Sequence, residues 1–288
     1  MFFIIGTIVV IICVFGGYVA MGGHLEVLVQ PFEFVIIGGA AAGAFIIASP
    51  KAVLTGSLKS LGLILKGPKY KRDAYLELLT LLYAVFKLAK SKGMLALEQH
   101  VENPDQSTLF AQFPTFAKDH HAMTFLCDYL RLMTLGSENP HEIEALMDEE
   151  IETHHHEVLR IASGLQSVAD GMPALGIVAA VLGVIKTMGA ITEPPEVLGR
   201  LIGGALVGTF LGVFLSYGFI APMAASLKSV YESDVKYFQC MKAGLLAYLQ
   251  GHAPQVAIEF ARKALMSDVR PTFYELEEAV NALPQLST

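Results

Sequence analysis

Two stretches of apolar and small residues, GMPALGIVAAVLGVIKTMGA (171–190) and LIGGALVGTFLGVFLSYGFIAP (201–222), decide the fold of this chain. Each is about as long as the ~20 residues that an α-helix needs to cross the hydrocarbon core of a bilayer. Two further apolar stretches lie near the N-terminus, and mostly polar residues separate the two pairs. The sequence therefore predicts an all-α integral membrane protein with four transmembrane helices in a 2+2 layout, at 2–21, 34–49, 172–191 and 201–223.

The composition agrees with a polytopic membrane protein and disagrees with a secreted or nucleic-acid-binding one. Hydrophobic residues make up 53% of the chain, charged residues only 16%, and the mean hydropathy is +0.52. Soluble domains, in contrast, have roughly 25% charged residues. Three scattered cysteines favour free thiols over a disulfide framework. Neither a phosphate-binding glycine loop nor a nucleophile elbow occurs in a suitable context, so we expect no enzyme activity, no cofactor and no nucleic-acid partner.

Positive charges are distributed unevenly along the chain. Of the 20 Lys and Arg residues, 12 lie in 51–170 and 6 in 224–288. Segments rich in Lys and Arg stay in the cytoplasm, so we expect both regions and both termini to be cytoplasmic in a protein of the inner membrane. The basic stretch from Lys51 to Arg72 is typical of a segment that lies on anionic membrane lipids. The predicted division is a transmembrane hairpin at 1–50, a cytoplasmic helical domain at 51–170, a second transmembrane hairpin at 171–223 and cytoplasmic C-terminal helices at 224–288.

The cytoplasmic regions have helical periodicity and no strand-like alternation. Leucines and a valine recur at helical spacing over 73–99, where Gly93 is expected to break or bend the helix. Asn139 as N-cap, followed by Pro140 and Glu142, predicts the start of a helix that runs directly into the third span. Further helices are predicted near 118–135, 224–250, 254–267 and 273–283.

The third and fourth spans each carry a stripe of small residues. Such faces allow helices to approach closely in lipid, either within this hairpin or against a partner helix or another copy of the chain. No span has an acidic residue at its centre, although carboxylates inside a membrane usually mark ion paths. Any ion-handling carboxylate is therefore expected to come from a partner. The stripes are Gly176, Ala180, Gly183 and Thr187 in the third span, and Gly204, Gly208, Gly212 and Ser216 in the fourth.

Two prolines, one threonine and a histidine run are the remaining candidates for a special role. Pro173 and Pro222 lie at matching ends of the third and fourth spans, and each either marks a helix end or forms one of two paired hinges. Thr209 either bonds the backbone of its own helix or holds a water or an ion. The run His154–His156 does not predict a metal site, because three consecutive helical side chains point about 100° apart.

Six sequence strings resemble the MotA family of flagellar motor stator proteins almost from end to end. Distant members of the wider group, TolQ and ExbB, have fewer spans, so the 2+2 layout favours the stator family. The strings are VFGGYVAMGG (14–23), LVQPFEFVIIGGA (28–40), ENPHEIEALMDEEIETH (138–154), GMPALGIVAAVLGV (171–184), LVGTFLGVFLSYGFIAP (206–222) and RPTFYELEEAV (270–280).

This resemblance implies an ion path and moving parts in the third and fourth spans. Pro173 and Pro222 match two family prolines that are tied to conformational change during ion passage. Ala180 and Thr209 match positions that line the ion path, and Gly176 belongs to the same small-residue face. Sodium-driven relatives tend to carry Thr where this chain has Ala180, so the resemblance implies a proton-driven protein.

The resemblance also implies partners. Lys90 and Glu98 match two charged positions that engage the rotor protein FliG, although relatives often have Arg where Lys90 stands, and Lys lacks the bidentate guanidinium fork. The family partner MotB, a single-span protein anchored to peptidoglycan, supplies the membrane Asp, and five copies of the chain surround two MotB helices. The implied function is a stator subunit that converts proton flux into torque. The alternative is a TolQ- or ExbB-like energiser of a periplasm-spanning partner.

Overall fold

The computed structural model describes residues 2–136 and 139–284, which are helical apart from turns and contain no β-strand. They belong to two compact units, the first made of Met1–Gly67 with Glu157–Tyr231 and the second of Pro68–His156 with Glu232–Thr288. The α-helices are α1 (Phe2–Ile11), α2 (Gly17–Ala20), α3 (Pro31–Ala48), α4 (Lys51–Lys66), α5 (Arg72–Lys92), α6 (Glu98–Glu102), α7 (Pro114–Ala117), α8 (His120–Thr134), α9 (Pro140–Met188), α10 (Pro195–Leu215), α11 (Ala221–Leu249), α12 (Pro254–Lys263) and α13 (Phe273–Asn281).

Four helical segments are long and apolar enough to cross a membrane. Phe3–Ala20 and Leu25–Ala48 lie near the N-terminus, and the other two lie within Pro140–Met188 and Pro195–Leu249. The residues between the second and the third of these segments are themselves mostly helical and form an insertion between the two pairs of spans. The predicted all-α fold, with four spans in a 2+2 layout and a helical insertion between the second and third, is therefore confirmed.

Both predicted hinge prolines lie inside continuous helical segments. Pro173 is inside α9. Pro222 is the second residue of α11, which follows α10 through a π-helical turn at Ser216–Ile220. Because the helical backbone runs on from Pro195 to Leu249, the helix-end interpretation is wrong for Pro222 as well as for Pro173.

The first unit holds its spans together with a small core and leaves much apolar surface uncovered. In the segment Phe3–Ala20, 0% of the residues are buried. At Gly56 of α4, an added Cβ would lie 2.6 Å from Ile161 Cδ1 of α9, so the lack of a side chain at Gly56 lets Ile161 pack closely against α4. The core shared by α3, α9 and α10 contains Ile37, Ala41, Met172, Ala179, Val207 and Leu211.

The second unit has a larger core centred on α5. Nearly every residue of α5 from Leu78 to Ala89 is buried, against side chains from α8, α11, α12 and α13. Gly93 follows α5 with φ +84°, a left-handed conformation that favours glycine, so the predicted helix break is confirmed. Asn139 Oδ1 accepts a hydrogen bond from the His141 N–H at 3.2 Å, which confirms the predicted start of α9.

A buried carboxylate network joins the start of α5 to the start of α8. The Tyr70 hydroxyl donates to Asp119 Oδ2 at 2.7 Å, and Lys69 Nζ lies 2.8 Å from the same oxygen. The Tyr70 ring stacks on Tyr237 with the ring centroids 3.7 Å apart. Burial raises the pKa of the Asp119 carboxyl, but the hydrogen bonds from Lys69 and Tyr70 outweigh burial and hold this pKa below its ordinary value.

Replacing Asp119 by Asn is expected to destabilise the second unit, because a neutral amide loses the ion pair with Lys69. The loss should be about 1–3 kcal/mol at neutral pH. Since the folded-state pKa is depressed, this contribution is present above the ordinary Asp pKa of about 3.9 and is lost as pH falls below it. Thermal unfolding of both proteins at several pH values checks this. A stability difference that does not shrink on acidification would contradict it.

Candidate ion-path site

Glycines bring α9 and α10 into backbone contact. A Cβ built on Gly176 would lie 2.8 Å from the Gly208 carbonyl oxygen and 3.0 Å from Gly212 Cα. A Cβ on Gly212 would lie 2.7 Å from the Met172 carbonyl oxygen and 2.8 Å from Gly176 Cα. A side chain at these positions would push the helices apart, because packed interiors have no room to accommodate it. The two small-residue stripes therefore pack against each other within one chain.

The predicted ion-path positions Ala180 and Thr209 lie beside this contact. A Cβ on Gly208 would lie 3.0 Å from the Ala180 backbone nitrogen, which places Ala180 against α10 next to Thr209. The Thr209 side chain is half-buried, and its hydroxyl makes no hydrogen bond to any residue within 2–136 or 139–284. The structure thus shows no bond from Thr209 to its own backbone, and a role in holding a water or an ion stays a prediction.

The other two hydroxyls of the stripes are engaged. Thr187 Oγ1 donates to the Gly183 carbonyl of its own helix at 2.9 Å. Ser216 Oγ donates across to the Ala169 carbonyl of α9 at 2.6 Å. Thr209 thus differs from both in offering an unbonded hydroxyl on this pair of helices.

Glu33 is a candidate residue that sequence reasoning missed. Because α3 begins at Pro31, before the predicted span, Glu33 lies in its first turn. Its Oε2 is buried without a hydrogen-bond partner among the described residues, and a Cβ on Gly208 would lie 2.7 Å from this oxygen. Proline is favoured at the first position of a helix, so Pro31 was the signal from which Glu33 could have been placed inside α3.

Glu33 and the nearby Gln30 lie against two glycines of the small-residue stripe of α10, Gly208 and Gly204. A Cβ on Gly204 would lie 3.2 Å from Gln30 Nε2, just as one on Gly208 would meet the Glu33 carboxylate. The glycines therefore give space to two polar side chains from the start of α3. Glu33 Oε2 and the Ala180 backbone nitrogen thus both lie near Gly208, the residue before Thr209. A carboxylate within a membrane helix usually marks an ion path, which makes Glu33 a candidate for this site.

The predicted rotor-facing residues belong to the second unit. Lys90 lies in the last turn of α5, and Glu98 is the first residue of α6. Both side chains are exposed, and neither forms an ion pair with any residue that the structure describes. Lys90 also lines a cavity of about 380 Å³ with Met94, Tyr248 and other residues. The two charges are thus free to meet a partner of complementary charge.

The histidine run points in several directions. The His154 ring lies 4.4 Å from the His121 ring, whereas His156 Nε2 pairs with Glu152 Oε1 at 3.2 Å. Across the described parts of the chain, no group of three His, Cys, Asp or Glu side chains is arranged to hold a metal ion. No role in metal binding is therefore assigned to these histidines.

Comparison with protein families identifies the arrangement. Residues 4–93 match the family described as Motility protein A N-terminal, and residues 117–240 match the MotA/TolQ/ExbB proton channel family. The chain belongs to the MotA/TolQ/ExbB proton channel family. This is a family of proton channels and not of enzymes.

Similar members of the MotA/TolQ/ExbB family cover nearly the whole chain. Motility protein A of Salmonella typhimurium is 47% identical over 98% of this chain and 96% of its own length. Motility protein A of Escherichia coli is 47% identical over 100% of this chain and 98% of its own length. These matches make the chain a flagellar motor stator protein and favour that interpretation over a TolQ- or ExbB-like energiser.

Two solved structures of family members share the fold. The flagellar MotAB stator complex from Bacillus subtilis aligns with a TM-score of 0.71 and 26% identity, over 89% of this chain and 92% of that chain. The MotAB structure from C. jejuni aligns with a TM-score of 0.76 over 92% of this chain and 96% of that chain, and at 21% identity it supports the fold alone.

Proposed function

We propose that the chain works with a MotB-type partner as a proton-conducting stator complex that exerts torque on the rotor protein FliG. The observation that carries this proposal is the 47% identity to motility proteins A over almost the entire chain. The geometry supports it, because Ala180 and Thr209 flank a backbone contact between two spans. Lys90 and Glu98, the two exposed charged residues of the second unit described above, are then the contacts with FliG.

The essential membrane carboxylate is supplied by the partner. The centres of the four predicted spans carry no acidic residue, and Glu33 lies only in the first turn of its helix. An Asp on the MotB helix, beside Ala180 and Thr209, would complete the path. Each proton that crosses gains roughly 2.3 kcal/mol per 100 mV of membrane potential. Alanine at position 180 favours protons over sodium as the coupling ion.

Several copies of the chain, five in the proposed complex, surround the partner helices. The support is the uncovered apolar surface of the first unit, since no residue of the Phe3–Ala20 segment is buried within the chain. A Cβ on Gly38, Gly39 or Gly43 of α3 would meet nothing within 4 Å, so this face is also open to a neighbouring helix. The Lys- and Arg-rich segments support a cytoplasmic location for both termini and for the second unit, on the side of the membrane where the rotor lies.

Pro173 and Pro222 are the moving parts in this proposal, and Gly176 lets the helices slide. A proline removes one backbone hydrogen bond and bends the helix, so less energy is needed to change the bend there than elsewhere. Protonation of the partner Asp would then favour one of two packings of α9 against α10 in each copy of the chain in turn.

Deletion of the gene in its host tests the proposed function. We expect flagellated cells that do not swim, and recovery of swimming when the gene is restored. Normal swimming together with a defect of the outer membrane would favour the TolQ- or ExbB-like alternative. Loss of the filaments themselves would indicate a role in assembly and contradict the proposal.

Changing Ala180 to Leu and Thr209 to Val together is expected to stop rotation. Leucine adds bulk where α9 meets α10, and valine keeps the size of threonine but removes the unbonded hydroxyl. We expect the rotation speed of tethered cells to fall by more than about tenfold, which corresponds to a rise of about 1.4 kcal/mol in the free-energy barrier to ion passage. The exposed Val178→Leu on the same helix is the matched control and should rotate normally. Wild-type torque in the double variant would contradict the assignment.

Reversal of both rotor-facing charges, by Lys90→Glu with Glu98→Lys, is expected to reduce swimming severalfold. Complementary charges mainly steer and orient a contact, so the loss should be partial. Matching reversals on FliG should restore part of the swimming speed. Lys118→Glu, an exposed reversal in the same unit, should have little effect. Unchanged swimming of the double reversal would show that these two residues do not contact the rotor.

A further inference from the structure

The Ser216 hydroxyl makes an unusual hydrogen bond. Ser216 is 0% exposed, and its Oγ donates to the Ala169 carbonyl oxygen at 2.6 Å. A serine or threonine in a helix commonly bonds the carbonyl four residues before it on the same helix, as Thr187 does with Gly183 at 2.9 Å. Ser216 instead reaches from the end of α10 to α9.

The acceptor is the carbonyl that Pro173 leaves without its usual donor. Ala169 precedes Pro173 by four residues, and Pro173 lies inside α9. A residue at this position normally donates its N–H to that carbonyl, but proline has no N–H. Ala169 is also 0% exposed, so bulk water does not reach this site. An unsatisfied backbone group is strongly unfavourable in a membrane, and a serine on a neighbouring helix is one way to satisfy it.

Ser216 is connected to the second proline through its backbone. It is the first residue of the π-helical turn Ser216–Ile220, and its carbonyl accepts a hydrogen bond from the Ala221 N–H. Ala221 directly precedes Pro222. The side chain of Ser216 is thus bound to the carbonyl one turn before Pro173, while its own carbonyl accepts the hydrogen bond that closes the turn leading to Pro222.

We propose that Ser216 is a positioning residue that couples the bends at Pro173 and Pro222. Its hydroxyl replaces the amide donor that Pro173 lacks, and this bond holds the end of α10 against α9 one turn before Pro173. A change at either proline then alters the position of the other. The hydrogen-bond replacement stands on geometry alone, and only its consequence for rotation rests on the proposed stator function.

A double-mutant cycle on the purified full-length chain tests the replacement. Ser216→Ala should lower the midpoint of thermal unfolding by about 2–4 °C, the shift that corresponds to one lost hydrogen bond in a protein of this size. In Pro173→Ala, the new N–H can bond the Ala169 carbonyl, so the added Ser216→Ala should shift the midpoint by less than half as much. Equal shifts in both backgrounds, or none in either, would overturn the proposal.

Thr187→Ala is the matched control, since this buried hydroxyl bonds its own helix. It should give the same shift with Pro173 present or replaced.

Tethered cells provide the motor measurement. Ser216→Ala should slow rotation, and it should cause no further slowing in a Pro173→Ala strain. Further slowing there would overturn the coupling of the two prolines. Failure of the stator function itself would be seen separately, as normal swimming of the deletion strain, and would leave the unfolding result unchanged.

Discussion

Gly212→Ala is expected to abolish swimming, although the change adds a single methyl group. The new Cβ would lie 2.7 Å from the Met172 carbonyl oxygen and 2.8 Å from Gly176 Cα. These are backbone atoms, so the contact is relieved only if α9 and α10 move apart. Overpacking of this kind costs about 1–3 kcal/mol and shifts the packed helices. Because Ala180 and Thr209 lie on the same pair of helices, the ion path should be distorted as well.

Gly199→Ala in the same helix is the matched control for Gly212→Ala. A Cβ on Gly199 meets nothing within 4 Å, so this variant should swim normally. Its stability should rise slightly, because alanine is favoured over glycine in a helix by about 1 kcal/mol. Swim speed and thermal unfolding of the purified proteins distinguish the two variants. Normal swimming with Gly212→Ala would show that the helices have more freedom than their backbone contact indicates.

Glu33→Gln is expected to reduce proton flux and rotation speed by at least about tenfold. A tenfold loss of rate corresponds to a rise of about 1.4 kcal/mol in the free-energy barrier to proton transfer. The substitution keeps the size of the side chain and removes its ability to bind and release a proton. Glu33 Oε2 is buried without a hydrogen-bond partner in the described part of the chain, and it lies beside Gly208, which packs against the backbone of Ala180. A carboxylate in this setting has a high cost unless it handles an ion or meets a partner group.

Glu26→Gln is the control for Glu33→Gln. Glu26 precedes the same helix, in the short turn Leu25–Leu28, and its side chain is exposed. Its neutralisation should leave rotation unchanged, so the pair separates loss of a specific proton site from loss of charge near the membrane. Equal rotation in wild type and Glu33→Gln would remove Glu33 from the ion path.

The four spans and the presence of a close-packing face on the third and on the fourth could be predicted from the sequence, because both depend on local patterns. Apolar segment length predicts a membrane helix, and glycines spaced by four residues lie on one face of it. The partner of each face is set by the rest of the fold. The stripes of the third and fourth spans pack on each other, whereas a Cβ on Gly38, Gly39 or Gly43 of α3 would meet nothing within 4 Å among the residues that the structure describes.

The behaviour of the prolines and of Glu33 could not be predicted in the same way. Pro173 remains inside a helix where a donor distant in sequence, the Ser216 hydroxyl, reaches the carbonyl left free. This contact has no local signal. Glu33 was missed for a different reason, since its importance depends on a helix beginning only a few residues earlier than the apolar pattern indicates. Small errors in helix ends change which polar residues belong to a span.

Rotation of tethered cells under controlled ion gradients tests most directly whether the chain is part of a proton-driven stator. A strain that lacks this gene would express the chain from an inducible copy, together with its MotB-type partner. We expect that rotation appears on induction, stops when a protonophore collapses the proton gradient, and continues in sodium-free medium. Rotation that survives the protonophore, or that stops when sodium is removed, would contradict a proton-driven stator.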